Sequence, residues 1–396
     1  MASRELPQDA ATKTAFLNDP VIRGRAYQTI TAVLLIAFVW FIANNTIHNL
    51  ASQNKTTGFD FFWHTSGFDI QYALIAYDRS STYFTAFLVG VINTLLVSVI
   101  GIVFATLLGF LVGIMRLSHN WIISRIALVY VEALRNVPLL LQLVFWYFAV
   151  LKSLPAVKNS LSVFDEIFLN QRGLYVPRPV VGHDFAWVVA GIVIAIVGIF
   201  VLRRWARARL EATGRRFPVL WTAIGLLLVV PTIAWFVSGT SLTFETPVLK
   251  GFNFRGGLAL PPELVALLLG LILYTATFIS EIVRAGILSV NWGQTEAAQA
   301  LGLKDGDRLR LVIIPQAMRV IVPPLTSQFL NLTKNSSLAV AIGFPDLVSV
   351  FMNTTLNQTG RALEVVFITM LVYLFLSLVT SAFMNWYNSR VALVER

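Results

Sequence analysis

Apolar runs about as long as a lipid bilayer is thick recur along this chain, and they restrict its fold before any motif is considered. A helix rising about 1.5 Å per residue needs roughly 20 residues to cross the hydrocarbon core. Eight stretches qualify: Tyr27 to Thr46, Tyr83 to Met115, Ile126 to Leu151, Phe185 to Leu202, Val219 to Ser238, Leu264 to Val283, Val320 to Phe344 and Val365 to Asn385. The second is long enough to tilt or to project beyond the bilayer. Lipid offers no hydrogen bonds, so each span must satisfy its own backbone, and the expected class is an all-α polytopic membrane protein. Composition agrees: 57% of the 396 residues are hydrophobic and 13% charged, against about 45–50% and about 25% in a soluble domain.

Charge gives the expected orientation. One set of flanks carries Arg4, Lys13, Arg23, Arg25, Arg116, Arg125, Arg203, Arg204, Arg207, Arg209, Arg215, Arg216, Arg284, Lys304, Arg308, Arg310, Arg319, Arg390 and Arg396. The other carries Lys55, Arg79, Lys152, Lys158, Arg172, Arg178, Lys250, Arg255 and Arg361. Basic loops stay inside, which puts both termini in the cytoplasm. The net charge of +10 is thus a topology signal, and no basic patch with interleaved aromatics points to nucleic acid. The polar start of the chain does not read as a cleavable signal. Without cysteine there are no disulfides or thiolate sites, and His48, His64, His119 and His183 lack metal-ligand spacing. Neither a metal nor another cofactor is expected. Outside the membrane, Gly58 to Tyr77 is rich in aromatics and suits a belt at headgroup level. Pro155 to Gly182 and Gly239 to Pro262 read as Gly- and Pro-punctuated loops.

The loop between the sixth and seventh spans has its own chemistry. Glu296 is placed in a first helical turn, where a carboxylate complements the helix dipole, and Ala297 and Ala298 form helix without bulk. Gly302 suits a left-handed stop, Asp307 a cap for the next helix, and Pro315 its end. The seventh span is polar, with Pro323, Pro324, Asn331, Lys334, Asn335 and Ser337. A charge at membrane depth costs about 2.5–3.5 kcal/mol on insertion scales and faces a cavity or a partner. This span is therefore expected to be proline-broken and to line a pathway, with Lys334 near its middle. Glu132 with Arg135, and Glu281 with Arg284, lie three residues apart on one helix face and form a candidate inner gate beside the loop.

From Glu296 the loop reads Glu-Ala-Ala, three residues, Gly302, nine residues, Val312, Ile313, Ile314, Pro315. That string resembles the coupling loop of permease subunits of bacterial ABC importers. The likeness extends through Asn93-Thr94-Leu95, Tyr130-Val131-Glu132, Arg135, Pro138 to Leu140, Gln142, Glu281, Arg284, Gly286, Ser289, Gly293-Gln294, Pro315-Gln316-Ala317, Arg319, Pro323 and Lys334. These stretches are similar to the polar amino acid branch of the histidine and glutamine type, and above all to general L-amino acid permeases. The resemblance implies a type I five-helix core, with helices 1 and 2 in 83–151 and helices 3 to 5 in 263–396, where 289–318 forms the coupling loop. Added to it are a cytoplasmic segment, 1–26, an extra helix with an outer amphipathic segment, 27–82, and an inserted helix pair with its loops, 152–262. An inserted pair leaves the orientation of later spans unchanged. Asn136-Val137 stands where Gly-Thr is usual, and Ala285 where glycine is usual.

The likeness further implies a cytoplasmic ABC ATPase dimer docked on Glu296, Ala297, Ala298, Gly302 and Pro315, a second homologous permease subunit, and a periplasmic amino-acid-binding protein. It implies multi-pass insertion in the lipid of a bacterial inner membrane. The candidate pathway is Asn331, Lys334, Asn335, Ser337 and Gln142, carrying an amino acid substrate of broad range. The chain contains no phosphate-binding Gly-x-x-x-x-Gly-Lys-Ser/Thr loop, so ATP hydrolysis is assigned to a separate subunit and the chain is not read as an enzyme. The alternatives are the same architecture carrying an opine or small peptide, an ion-coupled secondary transporter, and last an intramembrane enzyme.

Overall fold

The computed structural model describes residues 20–52, 58–182, 185–214, 217–239 and 242–391. The stretch before Pro20, and Lys55, His183, Arg215, Arg216 and Arg396, lie outside them. In order come α1 (Pro20–Ser52), α2 (Tyr83–Arg116), α3 (Trp121–Arg135), α4 (Leu139–Val144, continued by a wider π-type stretch to Leu151), α5 (Phe185–Thr213) and α6 (Val219–Ser238). After them come α7 (Pro262–Leu288), α8 (Trp292–Ala300), α9 (Asp305–Arg308), α10 (Ile314–Asn335, tightening to a 3-10 helix through Ile342), α11 (Leu356–Thr359) and α12 (Ala362–Val391). Among the described residues seven helices are long and apolar enough to span a bilayer, and α3 with α4 makes an eighth if the bent pair is one span.

That pair corrects the sequence expectation of one continuous third helix. It bends by 102° at Asn136-Val137-Pro138, because a residue before proline is pushed out of the helical region and proline has no N–H to continue the ladder. Gln142 braces the bend: its amide donates to the freed carbonyls of Leu134, at 2.8 Å, and Val137, at 2.9 Å. The seventh span departs the other way. Helix α10 runs unbroken through Pro323 and Pro324, since burial of Ala317, Ile321, Val322 and Leu325 holds both sides of the lost hydrogen bonds in place. The break falls later, at Gly343 to Asp346, with Gly343 at φ 78°. It is pinned to α2, where the Asn93 amide donates to the carbonyls of Tyr72 and Pro345, both at 2.9 Å, and Thr94 Oγ1 accepts from the Leu347 amide at 3.0 Å.

Helices α2 and α7 form the centre. Lipid tails are as apolar as leucine, so helices associate in a membrane through close van der Waals contact, and small residues permit it. A Cβ on Gly113 would stand 2.8 Å from the Ser280 carbonyl oxygen and 2.9 Å from Val283. Gly113→Ala is therefore expected to cost about 1–3 kcal/mol through overpacking. The check is a lower Tm for the detergent-purified chain, with Gly225→Ala, which meets nothing within 4 Å, as the silent control.

At the end of the bundle opposite α8, the two expected loops are instead short strands: β1 (Leu161–Val163), β2 (Ile167–Asn170), β3 (Gly173–Val176), β4 (Arg178–Val181), β5 (Leu242–Glu245), β6 (Val248–Lys250), β7 (Asn253–Arg255) and β8 (Leu258–Leu260). They form a sheet of order β1-β2-β3-β8 and two pairs, β4-β5 and β6-β7. Pairings Leu174 with Leu260 and Arg178 with Glu245 join the chain entering the α5–α6 hairpin to the chain leaving it, so the inserted pair is closed at its base. Strands of three or four residues carry too little alternation to be read from sequence.

The aromatic segment before α2 also packs more than a surface belt would. Phe61 is buried, stacked on Phe62 at 4.7 Å, and Phe62 stacks on Phe351 at 5.6 Å, while Phe59 and Trp63 stay exposed. Asp60 pairs with Arg361 at 3.0 Å and Glu364 accepts from the Gly58 amide at 2.6 Å, stapling the segment to the start of α12.

Candidate functional site

Three groups of polar residues lie on the core, and the first is the loop that carries α8. Asn291 caps α8, its side chain accepting from the Gly293 amide at 2.8 Å. Glu296 is accordingly in the second turn rather than the first. Leu301 follows the helix and Gly302 turns left-handed at φ 73°. The Gly302 amide donates to the Gln299 carbonyl at 2.8 Å and the Leu303 amide to the Ala298 carbonyl at 3.1 Å. These paired bonds are the Schellman stop, which ends a helix abruptly.

Beyond the stop, Lys304 and not Asp307 is the residue before α9. Pro315 does not close a helix: the chain stays helical from Asp305 through a wider π-type stretch, Leu309–Ile313, into α10, and that bulge stands where proline has no N–H to donate. The Gln316 amide donates to Gln294 Oε1 at 3.2 Å, tying α8 to the start of α10. Glu296 and Ala297 are exposed, but Ala298 is buried, so it supports the loop from within. Two residues that the motif does not include dominate the outer face: Trp292 is 70% exposed and Leu301 80%. The sequence marks neither beyond its being a large apolar side chain in a loop between spans, which does not say which of them face outward.

The second group is on α10. A Cβ on Gly101 would lie 3.0 Å from Leu332, and Gly101 is near the middle of α2, about 23 Å along the helix from Arg116. Residues 331–335 thus pack beside the middle of α2. Pro323, Ser327, Asn331 and Lys334 are all exposed, and their spacing of four, four and three puts them on one helix face. Among the described residues no side chain or carbonyl pairs with the Lys334 ammonium. Asn335 is half-buried, and Ser337, also half-buried, donates to the Lys334 carbonyl at 2.7 Å. Gln142 is buried at the α3–α4 bend, on the helix whose Leu139 and Leu143 pack with Ala339 and Ile342 beyond Lys334.

The third group joins helices at the α8 end. Glu281 binds Arg284 one turn on and also Arg116 at the end of α2. The second contact spans 165 residues of sequence, which is why local spacing could not find it. Glu132 and Arg135, in contrast, do not pair: Glu132 accepts from the Asn136 amide at 3.3 Å, and the Arg135 guanidinium lies 5.2 Å from the centre of the Phe278 ring.

Comparison with known proteins gives this geometry its setting. The profile of the family described as "Binding-protein-dependent transport system inner membrane component" matches residues 188–393. The General L-amino acid transport system permease protein AapQ of Rhizobium johnstonii is 51% identical over 378 residues, 96% of this chain and 94% of that one. The putative amino-acid ABC transporter permease protein YhdX of Escherichia coli is 48% identical over 96% of each chain. The Glutamate/glutamine/aspartate/asparagine transport system permease protein BztB of Rhodobacter capsulatus is 40% identical over the whole of both. With a family profile matched over half of its length and relatives matched along nearly theirs, this chain belongs to the family of binding-protein-dependent transport system inner membrane components, the membrane-spanning permeases of ABC transporters.

Proposed function

We propose that this chain is the permease subunit of an ATP-driven importer that moves L-amino acids of broad range into the cytoplasm. The observation that carries the substrate class is the 51% identity with a general L-amino acid permease, which includes the front helix and the inserted pair as well as the core. The distribution of arginine and lysine supports cytoplasmic termini and a cytoplasmic α8.

In this reading an ATPase dimer seats on Trp292, Glu296, Ala297 and Leu301. The Schellman stop at Gly302 makes α8 a short rigid lever, and the helix that runs from Asp305 past Pro315 receives its motion. Closure of the ATPases pushes α8 and, through Gln294 and Gln316, α10; ATP binding thereby selects one of two packings of the core. A second, homologous permease subunit covers the open face of α10, enclosing a path lined by Asn331 and Lys334 with Asn335 and Ser337 behind them. Every amino acid brings an α-carboxylate, which the Lys334 ammonium meets as a point charge whatever the side chain. A secreted amino-acid-binding protein delivers the substrate from the opposite side. Division of the chain into a front extension, core and insertion follows the same reading.

The Glu281 cluster acts as the inner gate, holding α2 to α7 until α8 moves. Glu281→Gln leaves Arg116 and Arg284 without their carboxylate. Because Glu281 and Arg284 are each about a third exposed, although Arg116 is only 13% exposed, the expected penalty is about 1–2 kcal/mol, below that of a fully buried pair. ATP hydrolysis should then continue while uptake falls about tenfold; unchanged uptake per ATP would mark the cluster as local structure only.

The whole reading is tested by purification and reconstitution. The chain should copurify with an ATPase and a second permease. Proteoliposomes holding ATP inside and the binding protein outside should take up several radiolabelled amino acids that compete with one another. Uptake driven by an ion gradient without ATP would overturn the mechanism, and competition by an opine but not by amino acids would reassign the solute.

A further inference from the structure

The arginine-rich end of the inserted hairpin holds a cavity that orientation alone does not require. The apolar part of α5, Phe185 to Leu202, has 18 residues and is about 27 Å long, close to the hydrocarbon thickness. Helix α5 nevertheless continues to Thr213, and Arg203, Arg204, Arg207 and Arg209 follow at once. Helix pairing sets their level: a Cβ on Gly191 would stand 2.9 Å from Ala234, and farther along the ring of Trp205 meets that of Phe217 edge-on at 5.2 Å. Arg203 and Arg207 therefore stand beside the start of α6, where hydrocarbon gives way to headgroups. Trp205 and Trp221, both exposed, supply the aromatic belt usual at that depth.

Between the two helices lies a cavity of about 370 Å³, lined by Arg203, Arg207, Leu210, Phe217 and Val219 together with Ala206. The two arginines are four residues apart, so they share a face and repel each other. Among the described residues neither has a carboxylate partner, and Glu211 is the single acidic residue between positions 203 and 217. Arg209 is occupied differently, over the rings of Trp205 and Phe217 at 5.2 and 5.8 Å. What is left is a fork of two free guanidiniums over an apolar wall.

Guanidiniums bind phosphate oxygens bidentately. A free phosphate would leave the apolar wall exposed, whereas a lipid covers it with its glycerol and acyl groups. We propose that this cavity binds the phosphate headgroup of an anionic phospholipid, with Arg203 and Arg207 on the phosphate and Phe217 and Val219 against the glycerol and first acyl carbons. On the orientation given under the proposed function, the lipid is one of the cytoplasmic leaflet, whose anionic headgroups basic pockets between spanning helices recognise.

The test is lipid retention by the purified chain in nanodiscs of phosphatidylcholine, with or without a minor share of phosphatidylglycerol, read by native mass spectrometry and by Tm. Phosphatidylglycerol should be retained and should raise Tm. R203Q/R207Q should bind it about thirty-fold more weakly, the product of two such contacts. Leu210→Trp leaves every charge in place for membrane insertion and fills the cavity, so it should lose the lipid as well and decides the matter if the arginine variant inserts poorly. The proposal is overturned if phosphatidylcholine is retained equally, if inorganic phosphate alone produces the shift, or if Leu210→Trp holds phosphatidylglycerol as the unaltered chain does. Neither transport nor a partner subunit enters the readout, so failure here is separable from failure of the proposed function.

Discussion

Leu301→Glu is expected to lower ATP-driven uptake by about thirty-fold while leaving the permease at its normal level in the membrane. Leu301 is 80% exposed at the tip of the loop, so a carboxylate there is fully solvated and disturbs no packing within the chain. Against an ATPase surface the same carboxylate must be desolvated, and loss of a central apolar anchor costs at least about 2 kcal/mol at a typical interface. ATPase yield on copurification should fall in parallel with uptake. Gly302→Val reaches the same loop by another route, because a β-branched residue resists the φ of 73° that the stop requires. Normal uptake and normal ATPase recovery with Leu301→Glu would remove this face from coupling.

The second large effect is at Lys334. Lys334→Met keeps an unbranched side chain, one atom shorter, and removes its charge, and uptake of several amino acids is expected to fall together, by about ten- to a hundredfold, the range of one charge-assisted hydrogen bond of about 1.5–3 kcal/mol. Poor insertion cannot produce that result. Removing a lysine from membrane depth relieves about 2.5–3.5 kcal/mol of insertion cost, so the variant should be at least as abundant as the unaltered chain. If uptake of all of them is unchanged at normal protein level, Lys334 does not meet the common carboxylate. A fall confined to one amino acid would instead attach Lys334 to that side chain.

These two residues illustrate how legible the chain is. Lys334 stands out in sequence because a charge inside an apolar span is costly whatever surrounds it. Leu301 does not, since the usual motif runs from Glu296 past it to Gly302, and only the stop at Gly302 turns its side chain outward. Ala298 belongs to the motif yet is buried, so a string of residues does not separate those that touch a partner from those that support them. Gln142 is similar: the family likeness marks it, and only the structure shows that its amide satisfies carbonyls freed at the α3–α4 bend.

The sequence by itself determined class, span positions and the expected sidedness, because bilayer thickness and the cost of burying charge act on every residue regardless of its neighbours. Contacts between distant segments were decided by the tertiary structure alone. The bend at Pro138, the uninterrupted helix through Pro323 and Pro324, the strands that close the inserted pair, and the capture of Glu281 by Arg116 each depend on groups far apart in the chain. Hydropathy is a sum over single residues and can be read in a line; packing and pairing energies belong to residue pairs, and which pairs form is settled only when the helices have assembled.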